Sequence, residues 1–361
     1  VDPLALKQRV IEEAHRLGFE ACRIAPAQAA PHREAFLQWL ADGFAGEMQW
    51  MGRDPDRRTQ PDQVLPGARS VIMVAKSYHP SGASPLLNAS FQIARYASGE
   101  DYHEVLTPRL RELEKVLAQA GGSQRSYVDT GPILERDFAA LAGLGWQGKS
   151  TMLISKNLGT FFFLGALLTT LELPPDAPAK DHCGRCQRCI DVCPTRAIIA
   201  PHRLNATRCV AYLTIELKGS IPVDLRPLIG NRIYGCDDCA AVCPWNRFAS
   251  ASQEIRFQPG PFSKITQMRD FLELDEPSFR ELFRGSPIKR IKRRGFLRNV
   301  CVALGNTGGP EDLEALQRIK NDPEPLIAEH AQWAIEQITR RLDLLSPGAG
   351  HVPAPRANDL G

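Results

Sequence analysis

An α+β fold in three parts is predicted by three features of the chain. Helical and strand periods interleave over residues 1–175, a cysteine-dense segment occupies 176–250, and short paired helical periods fill 251–345. Leu4 to Leu17 and Thr107 to Ala120 carry apolar residues at three- and four-residue spacing, the second with Glu and Arg/Lys on its polar face, so both predict amphipathic helices. Ser70 to Tyr78 (SVIMVAKSY) and Ser126 to Asp129 predict strands. Thr151 to Ile154 and Phe161 to Leu168 predict two more, joined by a turn through Lys156, Asn157 and Gly159.

Later in the chain, Leu272 to Phe283, Ile288 to Leu304, Pro310 to Ile319 and Glu324 to Leu342 are helical, with breaks at Gly285, Asn306 to Gly309 and Asn321 to Pro323. Paired helices with such short turns suggest HEAT-like repeats, and two pairs are too few to stand without the rest of the chain. Residues 346–361, rich in Pro, Gly and Ala, are expected to be a disordered tail.

With 361 residues, 43% hydrophobic and 24% charged, the composition is that of a globular protein with a sizeable core. A net charge of +3 leaves nucleic-acid affinity to local patches. No apolar run is long enough to span a membrane, and the first residues lack the apolar middle of a signal peptide, so a cytoplasmic address is expected. Ten cysteines in such a chain point to metal and not to disulfides.

The cysteine spacing is specific. Cys183, Cys186, Cys189 and Cys193, followed by Pro194, form the C-x2-C-x2-C-x3-C-P run of bacterial ferredoxins, whose fourth cysteine ligates the other cluster. Cys236, Cys239 and Cys243, followed by Pro244, make the second set, and Cys209 is available to complete it. Two [4Fe–4S] clusters follow: one on Cys183, Cys186, Cys189 and Cys243, the other on Cys193, Cys209, Cys236 and Cys239. A pair of structural zinc sites is the alternative, but three evenly spaced cysteines plus Cys-Pro are redundant for one zinc. Cys22 and Cys301 lie in apolar segments and are expected in the core.

Four stretches in order closely resemble the epoxyqueuosine reductase family: RYASGEDYH (Arg95 to His103), YVDTGPILERDFAALAGLGWQGKSTMLI (Tyr127 to Ile154), GNRIYGCDDCAAVCPWN (Gly230 to Asn246) and LRNVCVALGN (Leu297 to Asn306). The resemblance spans nearly the whole chain. It implies a nitroreductase-like cobalamin-binding domain ahead of the ferredoxin-like one. It also implies reduction of epoxyqueuosine to queuosine at the tRNA wobble position, the last step of queuosine biosynthesis, with cob(I)alamin and cluster electrons. The chain has no Asp-x-His-x-x-Gly run, which agrees with base-off cobalamin.

By the same resemblance Asp129 is the expected proton donor, with a turn-forming aspartate as the competing reading. Tyr96, Asp101, Tyr102 and His103 are expected near the substrate face, although Asp101 equally suits a helix N-cap. Arg53, Arg58, Lys149, Ser150, Met152, Leu153 and Leu164 are expected to contact the cofactor, and the Gly143 to Lys149 turn to approach a flat macrocycle or to cap a helix through Gly145 or Gly148. Cluster two is expected nearer the corrin.

Arg284, Lys289, Arg290, Lys292, Arg293, Arg294 and Arg298 form a run without an acidic residue, and a run of one sign suits a polyanion better than a plain solvated face. The anticodon stem-loop of a tRNA is the expected ligand, with Phe296, Tyr234 and Trp245 available for base stacking. An external low-potential donor such as flavodoxin or ferredoxin and a monomeric state away from membranes complete the expectation. The alternatives are a reductive-dehalogenase-like corrinoid enzyme and a non-catalytic ferredoxin-type carrier with an RNA-binding appendage.

Overall fold

The computed structural model describes residues 2–79 and 90–345; the expected tail at 346–361 lies outside the described residues. At the centre of the first part is a four-stranded antiparallel sheet of β1 (Ala21–Pro26), β2 (Ser70–Ser77), β3 (Gln124–Tyr127) and β4 (Phe162–Thr169), in the order β1-β2-β4-β3. The interior strand β2 is buried along its whole length, which explains why its centre, VIMVA, is continuously apolar and does not alternate. Val71, Met73 and Ala75 face one layer, and Ile72 and Val74 the other.

Helices α1 (Pro3–Arg16) and α2 (Tyr102–Gln119) cover the second face through Leu6, Val10, Ala14, Leu106, Leu110, Leu113 and Leu117. Each such fully buried leucine contributes about 1.5–3 kcal/mol. Helix α3 (Glu135–Leu141) covers the first face with Phe138 and Ala139. Lys76, at the buried end of β2, ion-pairs with Glu20 at 2.9 Å and donates to the Gly18 carbonyl, so its charge is not left unpaired.

The expected strand pair after Thr151 is divided between two sheets. Leu153–Ile154 pairs with Trp146–Gln147, while β4 enters the central sheet, and a Ser155–Gly159 bridge closes the turn between them. A Cβ at Gly145 would lie 2.2 Å from the Ile154 carbonyl oxygen, so the Trp146 pairing needs glycine there. The left-handed residue after α3 is Gly143, at φ +76°, and neither Gly145 nor Gly148 takes that role.

The last part is built around α4 (Lys292–Thr307), buried from Gly295 to Gly305 and packed against α6 (Pro325–Leu345), which in turn packs on α5 (Leu313–Ile319). The helical periods read at 272–283 and 310–319 are each divided. Short 3-10 turns occupy Met268–Glu273 and Pro310–Asp312, and the first α-helix begins only after the Asp275 N-cap, with Pro277 in its first turn. This helical part shares one core with Phe91, Ile93, Val210, Leu213, Ile233 and Tyr234. The cysteine-bearing segment and the helices are therefore packed together, as a short array requires. Cys22 and Cys301 are both buried in the core. Among the described residues no helix is long and apolar enough to cross a membrane.

Candidate active site

A cavity of about 1020 Å³ lies at the seam between the sheet-containing part and the head of the helical part. The seam is held by main chain: the Asp101 N–H donates to the Gly285 carbonyl at 2.6 Å and the Glu100 N–H to the Arg256 carbonyl at 2.8 Å. Arg58, Tyr96, Asp101, Tyr102, His103 and Asp129 line one side, and Gly285 to Arg290 contribute Lys289 and Arg290 on the other.

Asp129 follows β3 in the loop at φ +61°, a conformation that aspartate tolerates better than most residues. Its N–H donates to Glu135 Oε1 at 2.8 Å, and Tyr102 Oη donates to its Oδ2 at 2.8 Å. Burial and then the Asp129 charge push the Tyr102 phenol well above its ordinary range, so it stays a proton-bearing donor to the carboxylate. Burial, with Asp129 next, raises Glu135 to about 8, which keeps that carboxyl largely protonated at neutral pH. Arg58 sits over the Trp50 ring at 4.9 Å and donates to the Trp50 carbonyl.

Asp101 accepts from the His103 N–H and so caps α2, while its carboxylate also meets His103 Nδ1 at 2.7 Å. Burial opposes protonation of His103, but this Asp101 contact prevails and raises its pKa. His103 Nε2 is buried and has no protein partner, a polar atom that fits a bound ligand in the cavity. The cavity thus offers room and unpaired polar groups to an organic ligand.

Two groups of cysteines lie near one another. Cys183, Cys186 and Cys189 act electrostatically on Cys243, while Cys193, Cys209 and Cys236 act on Cys239. All ten cysteines are free of disulfides. The first set, together with Cys239 and Trp245, lines a narrow recess. In the second, Cys193 Sγ accepts the Ala197 N–H at 3.2 Å, the kind of contact that stabilises thiolate on a cluster. Burial pushes the Cys236 thiol up to about 12, a cost that ligation to iron removes.

Several residues expected to contact the cofactor or phosphate do not line this cavity. Lys149 donates to the Gly184 and Cys186 carbonyls at 2.7 and 3.0 Å, and Ser150 borders the same recess, so both serve the first cluster loop and stand away from the cavity. Leu153 is buried in the core beneath the sheet, Leu164 packs against that core, and Met152 lies beside Arg136. Arg53 is exposed and does not line the cavity.

In the basic run, Arg298 is 1% exposed and donates to the carbonyls of Leu213, Leu217 and Gly219. It fastens α4 to the cysteine segment and leaves the phosphate-binding set. Arg293 pairs with Asp322 at 2.6 Å and donates to the Leu274 carbonyl, so it too is structural. Arg290 pairs with Glu216 at 2.8 Å and Arg294 stands 3.7 Å from Glu324; acidic partners remote in sequence enter the run through the fold. Lys289 and Lys292 remain exposed. Phe296 and Tyr234 are fully buried core residues, which removes both from base stacking, and the half-buried Trp245 meets Trp146 edge-on.

Glu135 was not singled out from the sequence. Only its place six residues after Asp129, in the same turn-and-helix entry, could have pointed to it.

A model described as 4Fe-4S double cluster binding domain matches residues 182–246, and one described as epoxyqueuosine reductase QueG, DUF1730, matches residues 58–130. The latter span runs from Arg58 to Thr130, both of which line the cavity. An epoxyqueuosine reductase of Xanthomonas campestris is 42% identical over 344 residues, covering 93% of this chain and 97% of the relative. The chain belongs to the epoxyqueuosine reductase family. It is accordingly an oxidoreductase with two [4Fe–4S] clusters.

The family member of Escherichia coli is 41% identical, with 93% of this chain and 90% of that one covered. A solved epoxyqueuosine reductase with an epoxyqueuosine-modified tRNA-Tyr stem loop superimposes with a TM-score of 0.85 at 30% identity, over 92% of this chain and 90% of that one. One from Bacillus subtilis, its aspartate-bearing catalytic loop swung out of the active site, gives 0.83 at 29% identity over 92% and 90%.

Proposed function

We propose that the chain reduces epoxyqueuosine to queuosine in the anticodon stem-loop of tRNA. The observation that carries the reading is the cavity itself, where Asp129, held by Tyr102 and Glu135, faces Lys289 and Arg290 across the seam. A relative of the same fold is solved with an epoxyqueuosine-modified stem loop, and in another a catalytic loop that carries an aspartate is swung out of the active site.

Removal of the epoxide oxygen takes two electrons and two protons and yields the cyclopentene and water. Cobalamin, if bound in the cavity, would supply a reductant strong enough for the strained C–O bond, and clusters held by the cysteines would supply electrons singly. Asp129 delivers a proton to the departing oxygen, and Tyr102 and Glu135 fix where that carboxyl points. Arg58, Tyr96 and His103 hold the cofactor and the nucleoside in the cavity. Lys289, Arg290, Lys292 and Arg294 take the RNA phosphates, with Arg53 as a further exposed cation.

The sheet-containing part at 1–175 is read as nitroreductase-like, 176–250 as the cluster domain and 251–345 as a HEAT-like recognition module acting in a cytoplasmic monomer. Deleting the gene and analysing tRNA nucleosides by mass spectrometry tests the reading. Accumulated epoxyqueuosine supports it, and unchanged queuosine overturns it.

A further inference from the structure

The two clusters differ in how they meet the surface. Cys209 and Cys236 pack against the large core shared with the helices. The first set lines a recess that Cys239 of the second also reaches, but Cys243, with Pro244, is the one cysteine bordering an open depression of about 850 Å³ beside it. Arg188, Val192, Asn246 and Arg247 line that depression, with Asp191 the acidic residue among them.

Arg185, Arg188 and Arg247 are exposed, and no acidic side chain among the described residues pairs with them. Elsewhere on this chain arginines commonly have such partners, as Arg290 has Glu216 and Arg256 has Glu100. Arg247 lies over the Phe248 ring at 4.5 Å, and Phe248 is 50% exposed. The face thus combines unpaired guanidinium groups with one apolar contact, directly over a ligand of the cluster that reaches the surface.

We propose that this face, bounded by Arg188, Arg247 and Phe248, is the docking site of an acidic one-electron carrier protein that reduces the first cluster. Two electrons per turnover must arrive one at a time from outside, and electron transfer demands close approach to a cluster. A small, polar and electrostatically steered contact provides that approach while allowing quick release. One electron leaves the carrier and enters the first cluster, and no bond is made or broken. The proposal rests on the reductase reading only in that electrons come from an external protein.

The test is stopped-flow reduction of the reconstituted holoprotein without RNA, using a reduced acidic flavodoxin as probe and dithionite as the small-molecule control. Arg188→Glu/Arg247→Glu should slow flavodoxin-driven cluster reduction about tenfold or more and flatten its ionic-strength dependence, with dithionite reduction unchanged. Arg247→Glu alone, farther from the cysteine ligands, serves if the pair assembles clusters poorly, and electron paramagnetic resonance verifies both clusters. Wild-type flavodoxin rates and salt dependence in a cluster-replete variant would overturn the proposal. Because no tRNA is reduced in this assay, that failure is distinct from failure of the reductase reading.

Discussion

The main-chain N–H of Asp129 donates to the Glu135 carboxyl at 2.8 Å, and this bond fixes the left-handed turn that aims Asp129 into the cavity. Burial pushes the Glu135 pKa above the ordinary 4.5 to about 8. Between those values the native state holds a proton that the unfolded chain has lost, so this group's contribution to stability is present at low pH and falls as pH rises through about 8. Glu135→Gln keeps an acceptor for the N–H and should remove that part of the pH dependence, measured by denaturant unfolding on both sides of the folded value. Glu135→Ala removes the acceptor and should lower turnover while leaving cluster content intact.

Asp129→Asn preserves the size of the side chain and the Tyr102 contact but cannot deliver a proton. Turnover should fall by about 10²–10⁴-fold with cobalamin and cluster loading unchanged, read by single-turnover kinetics and absorbance. Undiminished reduction would assign the proton to another group.

Arg298 satisfies three carbonyls inside the protein, so Arg298→Leu should destabilise it by about 3–5 kcal/mol in denaturant unfolding. Lys292→Ala, at an exposed position, should stay within about 0.5 kcal/mol of wild type.

The same contrast governs RNA binding. Neutralising Lys289 and Lys292 should weaken stem-loop affinity and make its salt dependence shallower, by about 0.7–0.9 in log–log slope for each phosphate that is no longer neutralised. A slope unchanged from wild type would remove these lysines from the interface.

What was legible in the sequence was whatever is encoded by spacing. The cysteine sets follow from local repeats, and α1 and α2 from apolar periods. The roles of Arg293 and Arg298 were not legible, because Asp322 and the Leu213 to Gly219 carbonyls reach them only through the fold. The surroundings of Leu153 and Lys149 were not legible for the same reason: the sequence did not reveal that Leu153 packs into the core and that Lys149 donates to the Gly184 carbonyl. Asp129 was found by resemblance, whereas the Glu135 contact that positions it appears only once the loop is built.

The most direct test of the account is conversion of an epoxyqueuosine-modified anticodon stem-loop by the purified protein loaded with cobalamin and both clusters, with mass spectrometric detection of the nucleoside. The account predicts loss of one oxygen to give queuosine, dependent on reductant and abolished in Asp129→Asn. Intact epoxyqueuosine after incubation with fully loaded wild-type protein and reductant would contradict it.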